Sequence, residues 1–140
     1  MAIWFHSEDT PFELKEKNRH RRWLNTVAGK QKIEIRSLNV IFTSDRRITR
    51  INSAYLNHQY PTDVISFDYS EGGMLSGDIF IGIQQVSQNA DSYGNILEDE
   101  VRRVMAHGLL HLLGMDDHTR DEMEEMRKKE NEALILWAKL

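Results

Sequence analysis

Residues 101–114 read Val101-Arg102-Arg103-Val104-Met105-Ala106-His107-Gly108-Leu109-Leu110-His111-Leu112-Leu113-Gly114. Apolar positions recur at helical spacing from Ile96 to Leu113, which predicts a strong helix. Gly114 stops it, because glycine enters the left-handed conformation of a helix C-terminus without a Cβ penalty. Leu109, Leu110, Leu112 and Leu113 then embed this helix in a core. Upstream, Gln84 to Tyr93 reads as a weaker helix ending near Gly94, and Leu75 to Ile83 reads as a strand. Its partner is the strand through Val64, Ile65, Ser66, Phe67 and Tyr69, reached across a turn at Glu71, Gly72 and Gly73 and preceded by a break at Pro61 and Thr62. Downstream, Thr119 and Glu122 form a capping box that opens a last helix through Met123, Met126, Leu134 and Trp137.

Toward the N-terminus, Ser44 or Asp45 caps a helix carrying Ile48, Ile51 and Tyr55. Ile33 and Ile35, then Leu38, Val40 and Phe42, alternate as in a strand with an irregularity near Ser37. Phe12 to Ala28 reads as an amphipathic helix stopped by Gly29, and Ile3-Trp4-Phe5 as a short edge strand. Strands alternating with helices place the chain in the α+β class, as a small mixed four-stranded sheet packed with about five helices.

The 140 residues are expected to form one domain, 1–140, since a chain of this length buries about two thirds of its unfolded surface. The absence of cysteine excludes a disulfide scaffold, a thiol nucleophile and a Cys-ligated zinc. Any metal must bind His, Asp or Glu. Apolar runs are short and no leader pattern follows Met1, so neither a signal peptide nor a membrane span is expected, and the cytoplasm is the expected location. The net charge of −4 is uneven: residues 1–50 carry 11 Lys and Arg against 6 Asp and Glu, whereas residues 51–100 contain no Lys or Arg. A basic half of this kind suits either a polyanion partner or a solvated helix face.

Chemistry concentrates in His107–His118. Two histidines four apart on a helix lie on one face, one turn apart, where both imidazoles can reach a single metal ion. After the break at Gly114 the chain can turn back, so that His118 completes a triangle of nitrogen ligands. Three ligands leave a fourth tetrahedral position open, which is the arrangement of a catalytic zinc. Asp116 and Asp117 are loop formers, acceptors for an imidazole N–H, or replacement ligands. The zinc-peptidase pattern H-E-x-x-H places its general base where this chain has Gly108, so a peptidase reading loses its base. His6, His20 and His58 show no such spacing and read as surface or partly buried residues.

The stretch resembles the H-G-x-L-H-L-x-G-x-D-H signature of the YbeY family of metal-dependent endoribonucleases. Pro61-Thr62-Asp63-Val64-Ile65-Ser66-Phe67 is similar to the family's P-T-D-V-L-S-F strand, and Ser76-Gly77-Asp78-Ile79 to its L-G-D-I segment. The resemblance implies cleavage of single-stranded RNA in ribosomal RNA maturation and ribosome quality control. It implies one zinc ion on His107, His111 and His118, with water attacking the phosphodiester, and the small subunit's RNA and ribosome assembly proteins as partners. The chain departs from the pattern twice. His118 lies seven residues after His111 where the family's third ligand lies six after, so strict register would put Asp117 there. Leu56 follows Tyr55 where the family carries Arg, leaving Arg46, Arg47 or Arg50 to supply the positive charge. The alternative expectation is a noncatalytic RNA- or ribosome-binding assembly factor whose metal is structural. Asp63, Asp78, Ser66 and Asn52 read as architectural.

Overall fold

The computed structural model describes residues 2–58 and 62–140. Its elements run β1 (Ile3–Glu8), α1 (Lys17–Lys30), β2 (Glu34–Thr43), α2 (Asp45–Leu56), β3 (Val64–Asp68), β4 (Met74–Gly82), α3 (Ile83–Tyr93), α4 (Leu97–Leu112) and α5 (Arg120–Lys139). The four strands form one sheet in the order β1-β2-β4-β3; β1 and β4 run parallel to β2, and β3 is antiparallel to β4. This is the mixed α+β sheet with five helices expected from the sequence. Pro61, expected to break the chain before β3, lies outside the described residues.

The irregularity expected near Ser37 is a β-bulge, where the β2–β4 register shifts between Ile35 and Ser37. Ser44 caps α2 by accepting a hydrogen bond from the Arg47 N–H. The first helix begins at Lys17, five residues later than the sequence pattern predicts. Phe12 and Leu14 stand two apart, a spacing that shares a side in extended chain and not in a helix. They pack on the core from the loop, with the Phe12 ring 4.9 Å from that of Phe42.

Alternation along β4 separates its two faces. A Cβ built at Gly77 would meet Leu112 of α4, and one built at Gly82 would meet Ile48 of α2. The two glycines are five residues apart, so α4 and α2 lie on opposite faces of the sheet. The main core joins Trp23, Leu24 and Val27 of α1, Leu38, Val40 and Phe42 of β2, and Ile79 and Ile81 of β4 to the inner face of α4. Trp23 donates its indole N–H to the Ala133 carbonyl at 2.7 Å, which fixes α5 against α1. Among the described residues no helix is long and apolar enough to cross a membrane.

Candidate metal centre

Helix α4 rests on the sheet at Gly108. A Cβ there would come within 2.8 Å of Ile79 Cγ2 and 3.2 Å of Ser66 Oγ, and Ser66 Oγ donates to the Gly108 carbonyl at 3.1 Å. Gly108 is therefore a close-approach position. A carboxylate base has no room beside His107, and Ser66 has the architectural role read from the sequence. With Gly108 against the sheet, His107 and His111 turn outward, one turn apart, and their Nε2 atoms stand 3.0 Å apart.

The end of α4 supplies the third group. Gly114 takes φ +98°, its N–H bonds the His111 carbonyl, and the Met115 N–H reaches back to the Leu110 carbonyl. This is a Schellman motif, with glycine at the one position that requires a left-handed backbone. The reversal brings the Met115 carbonyl to 2.9 Å from His111 Nδ1 and carries Asp117 over the imidazole pair. Asp117 Oδ2 lies 3.4 Å from His107 Nε2 and 3.5 Å from His111 Nε2.

His107, His111 and Asp117 thus form a half-buried cluster able to hold a metal ion. His118, expected from the sequence as the third ligand, is exposed outside that cluster. Its N–H donates to Glu122 Oε1 at 3.2 Å, as part of the cap that opens α5. The turn after Gly114 closes in six residues from His111 and not seven, which is why Asp117 arrives and His118 overshoots. The structure thus places at the candidate site the residue that strict register pointed to.

Both Nδ1 atoms already face acceptors. His111 Nδ1 meets the Met115 carbonyl, and His107 Nδ1 lies 2.6 Å from Glu130 Oε2. Each Nδ1 must therefore donate, which leaves a lone pair on each neutral ring's Nε2. With both rings neutral, two lone pairs and a carboxylate oxygen converge. The 3.0–3.5 Å edges of this triangle bracket the separation of about 3.3 Å that tetrahedral bonds of 2.0–2.1 Å to zinc produce. The residues fit a divalent metal.

Burial acts against a proton on His107, but its hydrogen bond with Glu130 and the charges of Glu130, Asp117 and Asp63 outweigh burial and raise its pKa. Burial would likewise raise that of Glu130, and the hydrogen bonds from His107 and Arg103 hold it below the usual carboxylate value. Glu130 had no signal in the sequence analysis, because no spacing rule joins α5 to α4. Asp63 accepts from Asn89 Nδ2 at 3.4 Å. Asp78 accepts from Asn39 on the sheet face away from α4, outside the cluster. Asn52 is buried in α2. Of the three arginines considered as substitutes for the charge missing at Leu56, Arg46 pairs with Asp9 and Arg47 with Glu8. Arg50 is exposed and has no ion pair among the described residues.

Two imidazoles and a carboxylate, half-buried at the end of a helix, form a candidate site for a single metal ion of the kind metallohydrolases use. The sequence profile described as Endoribonuclease YbeY matches residues 3–137. The chain belongs to that family. Similar relatives include Endoribonuclease YbeY of Cytophaga hutchinsonii, 47% identical over 136 residues with 96% of this chain and 95% of the relative covered. That of Bacteroides thetaiotaomicron is 38% identical, covering 97% and 99%. A solution structure from Thermotoga maritima matches with a TM-score of 0.64 at 26% identity, covering 99% of this chain and 93% of the other.

Proposed function

We propose that the protein is a metal-dependent endoribonuclease that hydrolyses single-stranded RNA at one zinc ion held by His107, His111 and Asp117. Its proposed setting is the cytoplasm, in maturation of small-subunit ribosomal RNA and ribosome quality control, with ribosome assembly proteins as partners. The observation that carries this reading is the convergence of two imidazole nitrogens and a carboxylate oxygen in a chain of the endoribonuclease YbeY family. When bound there, zinc would supply Lewis acidity to a phosphate oxygen and to the hydrolytic water. The protein's own residues set the geometry. Met115 and Glu130 hold the two rings with Nε2 outward, and Gly108 lets α4 lie close to the sheet.

Cleavage of an end-labelled single-stranded RNA by the zinc-loaded protein, beside variants purified in the same way, tests the reading. His111→Ala and Asp117→Ala should each lose at least about a hundredfold in rate, since each removes a metal ligand. His118→Ala should stay within about twofold of the parent, because an exposed side chain is removed. Full activity in Asp117→Ala, with loss in His118→Ala, would return the third ligand to His118. RNA binding that weakens steeply with salt, without cleavage by the parent, would favour the noncatalytic assembly factor.

A further inference from the structure

We infer that Glu130 of α5 is a positioning residue for the metal centre: its buried carboxylate holds His107 as the Nδ1–H tautomer, with Nε2 turned toward the metal. The inference rests on the ligand set proposed above. A carboxylate only 2% exposed is costly to bury unless each oxygen is satisfied. Both oxygens of Glu130 are engaged, Oε1 by Arg103 Nη1 at 2.9 Å and Oε2 by His107 Nδ1 at 2.6 Å.

Neutralising Arg103 does not explain this arrangement. Arg103 also pairs with Glu100, which is fully buried one turn back on α4. The linked set of Glu100, Glu130, Asp117, Arg103 and Arg127 holds three carboxylates against two guanidiniums, with Arg127 reaching Glu130 Oε1 from the surface at 4.0 Å. With neutral imidazoles the set keeps a net negative charge, which favours a cation at its ligand half. Glu130 connects the buried half of the set to the ligand half. His111 has no such anion; its Nδ1 donates to the neutral Met115 carbonyl. One ligand ring is therefore oriented by a charge from another helix, the other by the turn that ends its own helix. Outer acceptors of this kind fix ring orientation and tautomer and raise the basicity of the ligating nitrogen.

The test is zinc affinity of the metal-stripped, refilled full chain, read by competition with a chromophoric chelator, together with the visible absorption of the cobalt-substituted protein. Glu130→Gln keeps the shape but loses the charge, and should bind zinc about 10–100-fold more weakly with a shifted cobalt band. Arg103→Met removes the brace between α4 and α5 but leaves the Glu130–His107 bond, and should change zinc affinity by less than about threefold even if melting falls. Equal losses of affinity in the two variants would mean that Glu130 only braces helices, and would overturn the assignment. So would parent-like affinity in Glu130→Gln when His111→Ala loses zinc. If His111→Ala also keeps zinc, the ligand set fails, and the assignment with it. Should Glu130→Gln not fold, nitrogen-15 NMR of the zinc-loaded parent decides: Nδ1 of His107 protonated supports the assignment, and Nε2 protonated overturns it.

Discussion

Two histidines near α4 meet opposite surroundings. His20, on α1, is 1% exposed, with its ring 4.3 Å from that of Trp137 and edge-on to Trp23. Its Nδ1 donates to the Glu16 carbonyl at 3.0 Å, and its Nε2 has no hydrogen-bond partner among the described residues. Arg19 and Arg102 lie over the Trp137 ring, at 3.9 Å and 4.4 Å from its centroid. Burial, with some help from the Arg102 charge, pushes the His20 pKa down to about 4. His107 is packed against carboxylates, and its pKa moves up. Both rings donate from Nδ1 to an oxygen. What separates the two histidines is their surroundings: aromatic rings pack on His20, whereas Nε2 of His107 meets a second imidazole and a carboxylate. Burial alone does not distinguish them.

The largest test of this contrast is Trp137→Ala. It removes a buried ring that His20 and two arginines share, and should cost about 3–5 kcal/mol of stability in urea unfolding. Zinc affinity of the folded protein should stay within about threefold, because Trp137 makes no contact with the ligand set. A loss of affinity comparable to that of His111→Ala would show that the two regions are one cooperative unit. The next effect is in pH. His20 takes up a proton more readily unfolded, near pH 6.5, than folded, near pH 4. The unfolded state therefore binds more protons between these values, and stability falls as pH drops through that window. Metal-free parent should lose about 2 kcal/mol from this group between pH 7 and 5. The loss is read as the difference in pH slope between the parent and His20→Phe; equal slopes would mean that His20 is not held neutral.

Much of the fold was legible because local rules and tertiary packing agree. The alternation of β2, the Ser44 cap, the Gly114 stop and the Thr119–Glu122 box are each complete within a few residues. The start of α1 was misplaced because Phe12 and Leu14 are apolar for a tertiary reason, the cover they give Phe42, and not through helical period. At the site, His107 and His111 were legible from a spacing of one turn. The third member of the cluster was not, because which residue meets the two rings depends on how many residues the Schellman turn consumes, and preference for a third imidazole favoured the neighbour of Asp117. Glu130 was invisible for a different reason. It lies 23 residues from His107, and only the docking of α5 on α4 brings its carboxylate within reach. His20 shows the converse, since nothing in the charged run around it announces a fully buried ring.

The smallest effect concerns the stretch where that one-residue difference arises. Thr119 Oγ1 accepts from the Glu122 N–H at 3.1 Å, and Glu122 Oε1 accepts from the N–H groups of Thr119 and His118 at 2.9 and 3.2 Å. The backbone hydrogen bond from Thr119 leads in holding the Glu122 pKa below its ordinary value. Asp117 immediately precedes this cap, so its loop is tied at one end by the Schellman turn and at the other by the capping box. Thr119→Ala removes half of the box and should cost about 1 kcal/mol in thermal or urea unfolding. Zinc affinity should fall by less than about tenfold, because the Gly114 turn still delivers Asp117. If Thr119→Ala weakened zinc as severely as Asp117→Ala, the cap and not the turn would set the ligand's position. The contrast between the two histidines would then extend beyond the atoms facing each ring to the order of a loop that only His107 and His111 require.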